Sequence, residues 1–320
     1  MPQFNPLKKY ALDIYHLLKQ AKSEKNPAEF FYKKKARTPL FMVESITRLL
    51  VSILESETTL KKEHKKIKKL EDVLGAMDNY DTLHRLFAKN KNINKVTITY
   101  FLKKFEKATQ KLNELLQEKD YFLDTFKRLC SHSAINFDDP ALIKKLEKQI
   151  RKDLESVCAF YQACDGAFNS MEDEVHEIRR NLRWVSIYAQ SLDGIIVLKP
   201  DKKKYAWEKK FITNSEIKSQ YNKVPANKAL KNHIDYNRKA FLALSHVVSA
   251  LGEIKDQGLQ IEALEKAICK TSDLEVTAAR NLVIKQLNPI KKEDDLFKEA
   301  YNLTHAFFTQ HKIHEKIVAK

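Results

Sequence analysis

His176, Arg179, Arg180 and Arg183 stand at spacings that place all four on one side of a helix. At 100° per residue and with His176 at zero, Arg183 falls at about 340°, Arg180 at about 40° and Arg179 at about 300°. Val175, Ile178, Leu182 and Val185 occupy the arc between about 180° and 260°, so the basic residues oppose an apolar stripe. Neither Arg179 nor Arg183 has an acid three or four residues away, and only Glu172 and Glu177 flank the group. Solvated helix faces commonly mix signs for i,i+4 pairing. An unneutralised arginine cluster invites an external anion instead, because guanidinium forks meet phosphate oxygens bidentately. A merely solvated basic face is the competing reading.

A second basic feature is TLKKEHKKIKKLED at 59–72. Leu60, Ile67, Leu70 and Leu74 form its apolar seam. Lys61, Lys65 and Lys68, and beside them Lys62, Lys66 and Lys69, form two adjacent basic stripes interrupted only by Glu63. This face also suits a polyanion, and solvation alone explains many such runs. Lysines at 33–35 and 202–204 fall in expected connections. His305, His311 and His314 near the end of the chain have no acid cluster beside them and are read as a polar helix face rather than a metal site.

The elements that must position these residues follow from composition and punctuation. The chain has 320 residues, 43% of them hydrophobic, enough for a sizeable core. It has only 5 Gly and 8 Pro, too few turns for an all-β sandwich or a glycine-punctuated α/β sheet. Long helices with few connections remain. Asn26-Pro27, Thr38-Pro39, Asp139-Pro140 and Asn288-Pro289 read as helix starts, and Ser170 with Asp173 reads as a capping box before His176. Apolar stripes at helical spacing run through 5–22, 40–54, 58–89, 93–130, 140–164, 171–192, 227–253, 258–287 and 290–318. Between 195 and about 237 the pattern breaks: IIVL at 195–198 and KYAWEKKFI at 204–212 could pair as a small β-hairpin. The expected fold is all-α, an antiparallel helical bundle assembly with a small β-hairpin insertion.

Lys and Arg number 58 against 42 Asp and Glu, a net charge of +16, which makes a polyanionic partner a candidate. The longest apolar runs are four residues, far short of a bilayer span. The first twenty residues carry no apolar segment followed by a cleavage site, so a cytoplasmic protein is expected. Cys130, Cys158, Cys164 and Cys269 form no CxxC pair and are expected to be reduced and buried.

The chain also repeats itself. VESITRLLVSI from Val43 aligns with VHEIRRNLRWV from Val175 at an offset of 132, matching Val43, Ile46, Arg48 and Leu50 to Val175, Ile178, Arg180 and Leu182. Leu74-Gly75 aligns with Leu251-Gly252 at an offset of 177. The difference of 45 residues is about the length of the irregular stretch. Two related halves, 1–165 and 166–320, are therefore expected, the second carrying an insertion at about 195–237.

MEDEVHEIRRNLRWVSI resembles the signature helix of the conserved histidine α-helical domain (CHAD) family, in which a His is followed at +3 and +7 by Arg. LGAMDNYD and LGEIKDQG resemble that family's second motif, Leu-Gly before a basic-acidic pair and a further acid. The resemblance covers about 38–264 without the insertion. It implies two related helical bundles around a basic cavity that binds inorganic polyphosphate without catalysis. On the motif positions stand His176, Arg179, Arg183, Lys255, Asp256 and Asp81. The departures are Glu44 in place of a first-half His, Asp78 in place of a base, Trp184 and Ser186 in place of further Arg, and Gly258 in place of an acid.

No P-loop, dinucleotide turn or nucleophile elbow is present, and no enzyme activity or cofactor is expected. The leading expectation is a non-catalytic protein holding polyphosphate or a similar phosphate chain on His176, Arg179, Arg180, Arg183, Lys255 and the face of Lys61, Lys62, Lys65, Lys66, Lys68 and Lys69. The rivals are an RNA- or ribosome-associated protein using the same charge, with Tyr205 and Trp207 as its one compact aromatic pair, and a helical scaffold for a protein partner.

Overall fold

The computed structural model describes residues 4–54, 58–118, 121–131, 135–288 and 291–319. The chain is all-α, and side-chain caps start several of its helices. Helix α1 (Pro6–Ala21) begins at Asn5, α2 (Pro27–Lys33) at Asn26 and α7 (Pro140–Ala163) at Asp139, each cap accepting a first-turn amide and each followed by proline at N1. Helix α3 (Arg37–Ile53) departs from the expected start at Thr38. It begins two residues earlier, with Ala36 in the cap position, and Pro39 lies in the first turn, where a missing amide proton costs nothing. Asn288 does the reverse of what its sequence suggested: at φ 43° it ends α12 (Val276–Leu287) in the left-handed region. The Pro289 of that expected start lies outside the described residues.

Helix α4 (Thr58–Phe87) is 30 residues long and packs against α3 and α5 (Lys95–Gln117). The expected helix at 93–130 is two, α5 and α6 (Tyr121–Ser131). The expected helices at 227–253 and 258–287 divide elsewhere. A single 34-residue helix, α11 (Arg238–Thr271), runs straight through 254–257 and ends where Ser272 turns extended. Gly258 does not break it, because the Met171 side chain packs on it with no room for a Cβ. That contact also explains the absence of an acid at this position.

The second half opens with a π-helical turn (Met171–His176) running into α8 (Glu177–Ser191). Asp193 and Gly194, at φ 48° and 106°, turn the chain out of α8. It enters β1 (Ile196–Lys199), which pairs in parallel with β2 (Ile234–Asn237), Ile196 opposite Ile234. The pair is thus a crossover and not the expected hairpin. The KYAWEKKFI segment forms no strand: Trp207 precedes the short helix α9 (Glu208–Phe211), and α10 (Asn214–Lys218) follows. Parallel pairing needs a long connection, which these short helices supply. The chain then closes through α13 (Glu293–His305) and a C-terminal segment whose Val318 bridges Tyr236.

Helix α3 occupies the centre, with Leu40, Val43, Ile46, Leu49 and Leu50 fully buried and α1, α4, α7 and α8 around it. One continuous apolar core runs from Leu7 to Val318, so both expected halves share it. A second, smaller core joins Leu83, Phe87, Ile93 and Phe101 to Ile261, Leu264, Ile268 and Val283 at the far end of α4 and α11. Of the terminal histidines, His305 is exposed and His311 half-buried, while His314 departs from the expected polar face. His314 is buried against Phe307 and Phe308, and His305 bonds the Tyr161 hydroxyl.

The α3–α4 interface also buries polar groups. Glu44 is 5% exposed, and its Oε2 has no hydrogen-bond partner. Burial first, then the neighbouring Glu71, push its carboxyl up to about 7, against the pull of Lys68 and Arg48. His64, bonded through Nδ1 to the Thr47 hydroxyl at 2.9 Å, is lowered by burial to about 4, with Arg48 and Lys68 assisting.

Folded Glu44 keeps its proton up to about 7, while the unfolded chain releases it near 4.5, so this group costs stability progressively between those values. His64 acts in the opposite sense, adding stability as pH rises from about 4 to 6.5. Glu44→Gln removes only the first effect. Its stability relative to the parent should improve between pH 5 and pH 8 by up to about 3 kcal/mol, read from urea midpoints at the two pH values. An unchanged difference between parent and variant would show that ionisation of Glu44 is not penalised.

Candidate anion-binding site

The basic helix is set by its start. Ser170 accepts the Asp173 amide, and the reach-back to the Ser170 amide comes from Glu174 rather than Asp173, because the first turn is π-helical. From Glu177 onward the helix is α, so the i+3 and i+7 relation of Arg179 and Arg183 to His176 holds.

The predicted site residues divide sharply. His176 bonds Glu172 at 3.1 Å, Arg180 pairs with Glu177 at 2.6 Å, and Lys255 pairs with Asp256 at 2.5 Å. All three have intramolecular partners. Arg179 and Arg183 have no ion pair among the described residues. Arg179 donates through Nε to the Val248 carbonyl at 3.2 Å, and its guanidinium lies on Gly252, where a Cβ would stand 2.9 Å from Nε. Arg183 rests on the Phe41 ring, 4.7 Å from its centroid, and makes no hydrogen bond to a described residue. Burial lowers the pKa of both, and Arg179 and Arg37 lower that of Arg183 further by repulsion. A guanidinium keeps its charge regardless. The consequence is a half-buried positive pair without a carboxylate.

Arg37 completes the group and was not singled out from the sequence. Its guanidinium lies 5.1 Å from the same Phe41 ring, on the other side of the chain's repeat, and over Gly75 as Arg179 lies over Gly252. Matching these contacts pairs Arg37 with Arg179, an offset of 142 where the sequence alignment had 132. Phe41 then occupies the place of Arg183, and Lys34, rather than Glu44, that of His176. The first-half arginine is neutralised, with Nε 2.8 Å from Glu71 and Nη1 2.8 Å from Asp78. The signal that could have found it was the spacing of Arg37 from Leu74-Gly75, obscured because Val43 and Val175 align well on apolar pattern alone.

The lysine face does not join this row. Helix α3 lies between α4 and α8. On the α4 wheel Lys61 and Lys68 stand within about 80° of Glu71, while Lys65, Lys69, Lys62 and Lys66 stand at about 120° to 220° from it. Lys68 is taken by Asp72 at 2.7 Å, and Lys66 faces Glu63, which holds Arg128 of α6. Lys61, Lys62, Lys65 and Lys69 are exposed on α4 and pair with no described acid. They are a solvated face.

Two aromatic features bear on a nucleic-acid reading. Trp207 is buried and stacked on Tyr205 at 4.9 Å, so this pair packs the insertion and offers no ring to a ligand. Tyr221 is different. It is 82% exposed, its carbonyl is held by Gln190 of α8 at 2.9 Å, and its hydroxyl lies within electrostatic reach of Arg183. Cavities of about 490 Å³ beside Leu18 and Leu116 and about 420 Å³ beside Cys158 and His314 lie elsewhere. The four cysteines are unpaired, and burial raises the thiol pKa of Cys130, Cys158 and Cys164. Among the described residues no cluster of three or more His, Cys, Asp or Glu could hold a metal ion, and no helix is long and apolar enough to cross a membrane.

Compared with known proteins, the chain matches no family model, no curated protein and no solved structure.

Proposed function

We propose that the protein binds a phosphate-bearing polyanion, inorganic polyphosphate or a close chemical equivalent, along the seam between α3 and α8, without catalysis. The observation that carries this reading is Arg183: half-buried, stacked on Phe41, repelled by two neighbouring arginines and paired with no acid. Like charges packed together in a partly desolvated seam are unfavourable unless something negative completes them. An anion does so, and phosphate oxygens suit guanidinium geometry. Arg179 and Arg183 are one helical turn apart, about 6 Å along the axis, so a chain of phosphates can engage both. The resemblance of the His176 helix to the conserved histidine α-helical family points the same way, but the reading rests on the arginines. His176, Arg180 and Lys255 sit at the rim with their acids and contribute to the field.

RNA is the second reading, favoured by one specific observation, the exposed ring of Tyr221 beside Arg183. Competition between RNA and polyphosphate at matched charge and physiological salt separates the two; displacement of polyphosphate by RNA reverses their order.

The test is retention of long-chain polyphosphate in a gel or filter assay. Arg179→Gln/Arg183→Gln should lose at least about tenfold in affinity, as expected for removing charge-assisted hydrogen bonds. Replacing Lys61, Lys62, Lys65 and Lys69 with Gln removes more charge and should lower affinity far less. Retention of full affinity by the arginine variant overturns the site.

Gly252→Ala supplies an independent test at constant net charge. Its Cβ meets the Arg179 guanidinium and displaces it, so binding should weaken several-fold while the helix itself gains propensity. Unchanged binding in this variant would mean that the seat of Arg179 is irrelevant to the ligand.

A further inference from the structure

We propose that Arg37 is a second phosphate subsite of the same seam, held closed by Glu71 and Asp78, and that only a phosphate chain long enough to extend beyond Arg179 and Arg183 opens it. The inference rests on the anion-binding reading above and specifies which chains the site selects.

Three observations carry it. Arg37 and Arg183 stack on one ring, at 5.1 and 4.7 Å from the Phe41 centroid, so the three guanidiniums form a row with Arg183 in the middle. A ligand seated on Arg179 and Arg183 therefore meets Arg37 next. The two ends of the row are built alike, each arginine lying on the glycine of a Leu-Gly pair, yet differ in charge. At the Arg179 end the nearby acid, Asp256, is drawn off by Lys255, whereas at the Arg37 end Glu71 and Asp78 both contact the guanidinium at 2.8 Å. The two carboxylates thus hold the places that phosphate oxygens would take.

The closure is also built to release. The Arg37 and Asp78 side chains are 37% and 40% exposed, and ion pairs so open to solvent hold weakly. The Tyr32 hydroxyl stands between Asp81 at 2.6 Å and the other oxygen of Asp78 at 3.1 Å, so its one proton is shared between the two carboxylates and can shift toward Asp78. Glu71, its side chain only 10% exposed, is the deeper arm and holds Nε, so Asp78 on Nη1 is the contact that yields first. A single phosphate cannot compete with two local carboxylates that cost no entropy to bring together. A chain already bound next door competes from a high effective concentration.

The experiment measures affinity for two probes, tripolyphosphate and long-chain polyphosphate, in the parent, in Glu71→Gln/Asp78→Asn and in Asp78→Asn alone. The double variant should bind the long chain about tenfold more tightly, in the range of added charge-assisted contacts, and gain much less on tripolyphosphate. Asp78→Asn should give part of the same selective gain, which guards against misfolding of the double variant. Arg37→Gln should lower long-chain affinity and leave tripolyphosphate binding as in the parent. Equal gains on both probes would indicate a general charge effect and overturn the subsite, as would no gain on either when the parent binds both. Failure of the parent to bind either probe overturns the anion-binding reading itself, and the subsite with it.

Discussion

Phe41 carries a guanidinium from each half of the chain, Arg37 from its own helix and Arg183 from α8. Much of the architecture can be traced from that contact. A phenyl ring tolerates two cations because its π-face is negative, but two cations tolerate each other only if their charge is dealt with. On one side the protein supplies Glu71 and Asp78 in direct contact; on the other no described carboxylate makes an ion pair, and Glu71 and Asp256 act only from a distance. The same helix pair is locked beyond the ring by Arg48, which stacks on Trp184 and donates to the Tyr188 hydroxyl, itself bonded to Asp153 of α7. The row of arginines is therefore mounted on packed helices rather than on loops.

This asymmetry reorganises the meaning of a net charge of +16. Most of the positive charge is either solvated, as on the outer face of α4, or matched within the fold, as for Arg180, Lys68 and Lys255. Two arginines escape both fates. Bulk charge governs long-range attraction and salt sensitivity, whereas the two unmatched guanidiniums can distinguish one anion from another.

What was legible in the sequence was whatever depends on neighbours along the chain. Asn26 and Asp139 cap as their proline partners announced, and the stripes of α3 and α8 lie inward as their spacing requires. Arg179 and Arg183 stand out by lacking acids at one turn's distance. The strand register was not legible, because IIVL finds its parallel partner across a connection of more than thirty residues rather than at the next β-prone run. The break between α11 and α12 was misplaced for a similar reason. Gly258, where the second of the two expected helices began, lies inside α11 against Met171, eighty-seven positions away.

The sequence by itself determined that the chain is helical, where its helices carry core and charge, and that Arg179 and Arg183 have no acid one turn away on their own helix. These depend on periodicity and on residues within one turn of each other. Tertiary structure decided which basic residues share a site: it removed the α4 lysines, brought in Arg37, and set the internal correspondence at 142 rather than 132. Ion pairing and stacking across helices act between side chains brought together only by packing. Glu71 and Asp78 lie thirty-four and forty-one residues beyond the arginine they hold, a separation that leaves no mark on any local pattern.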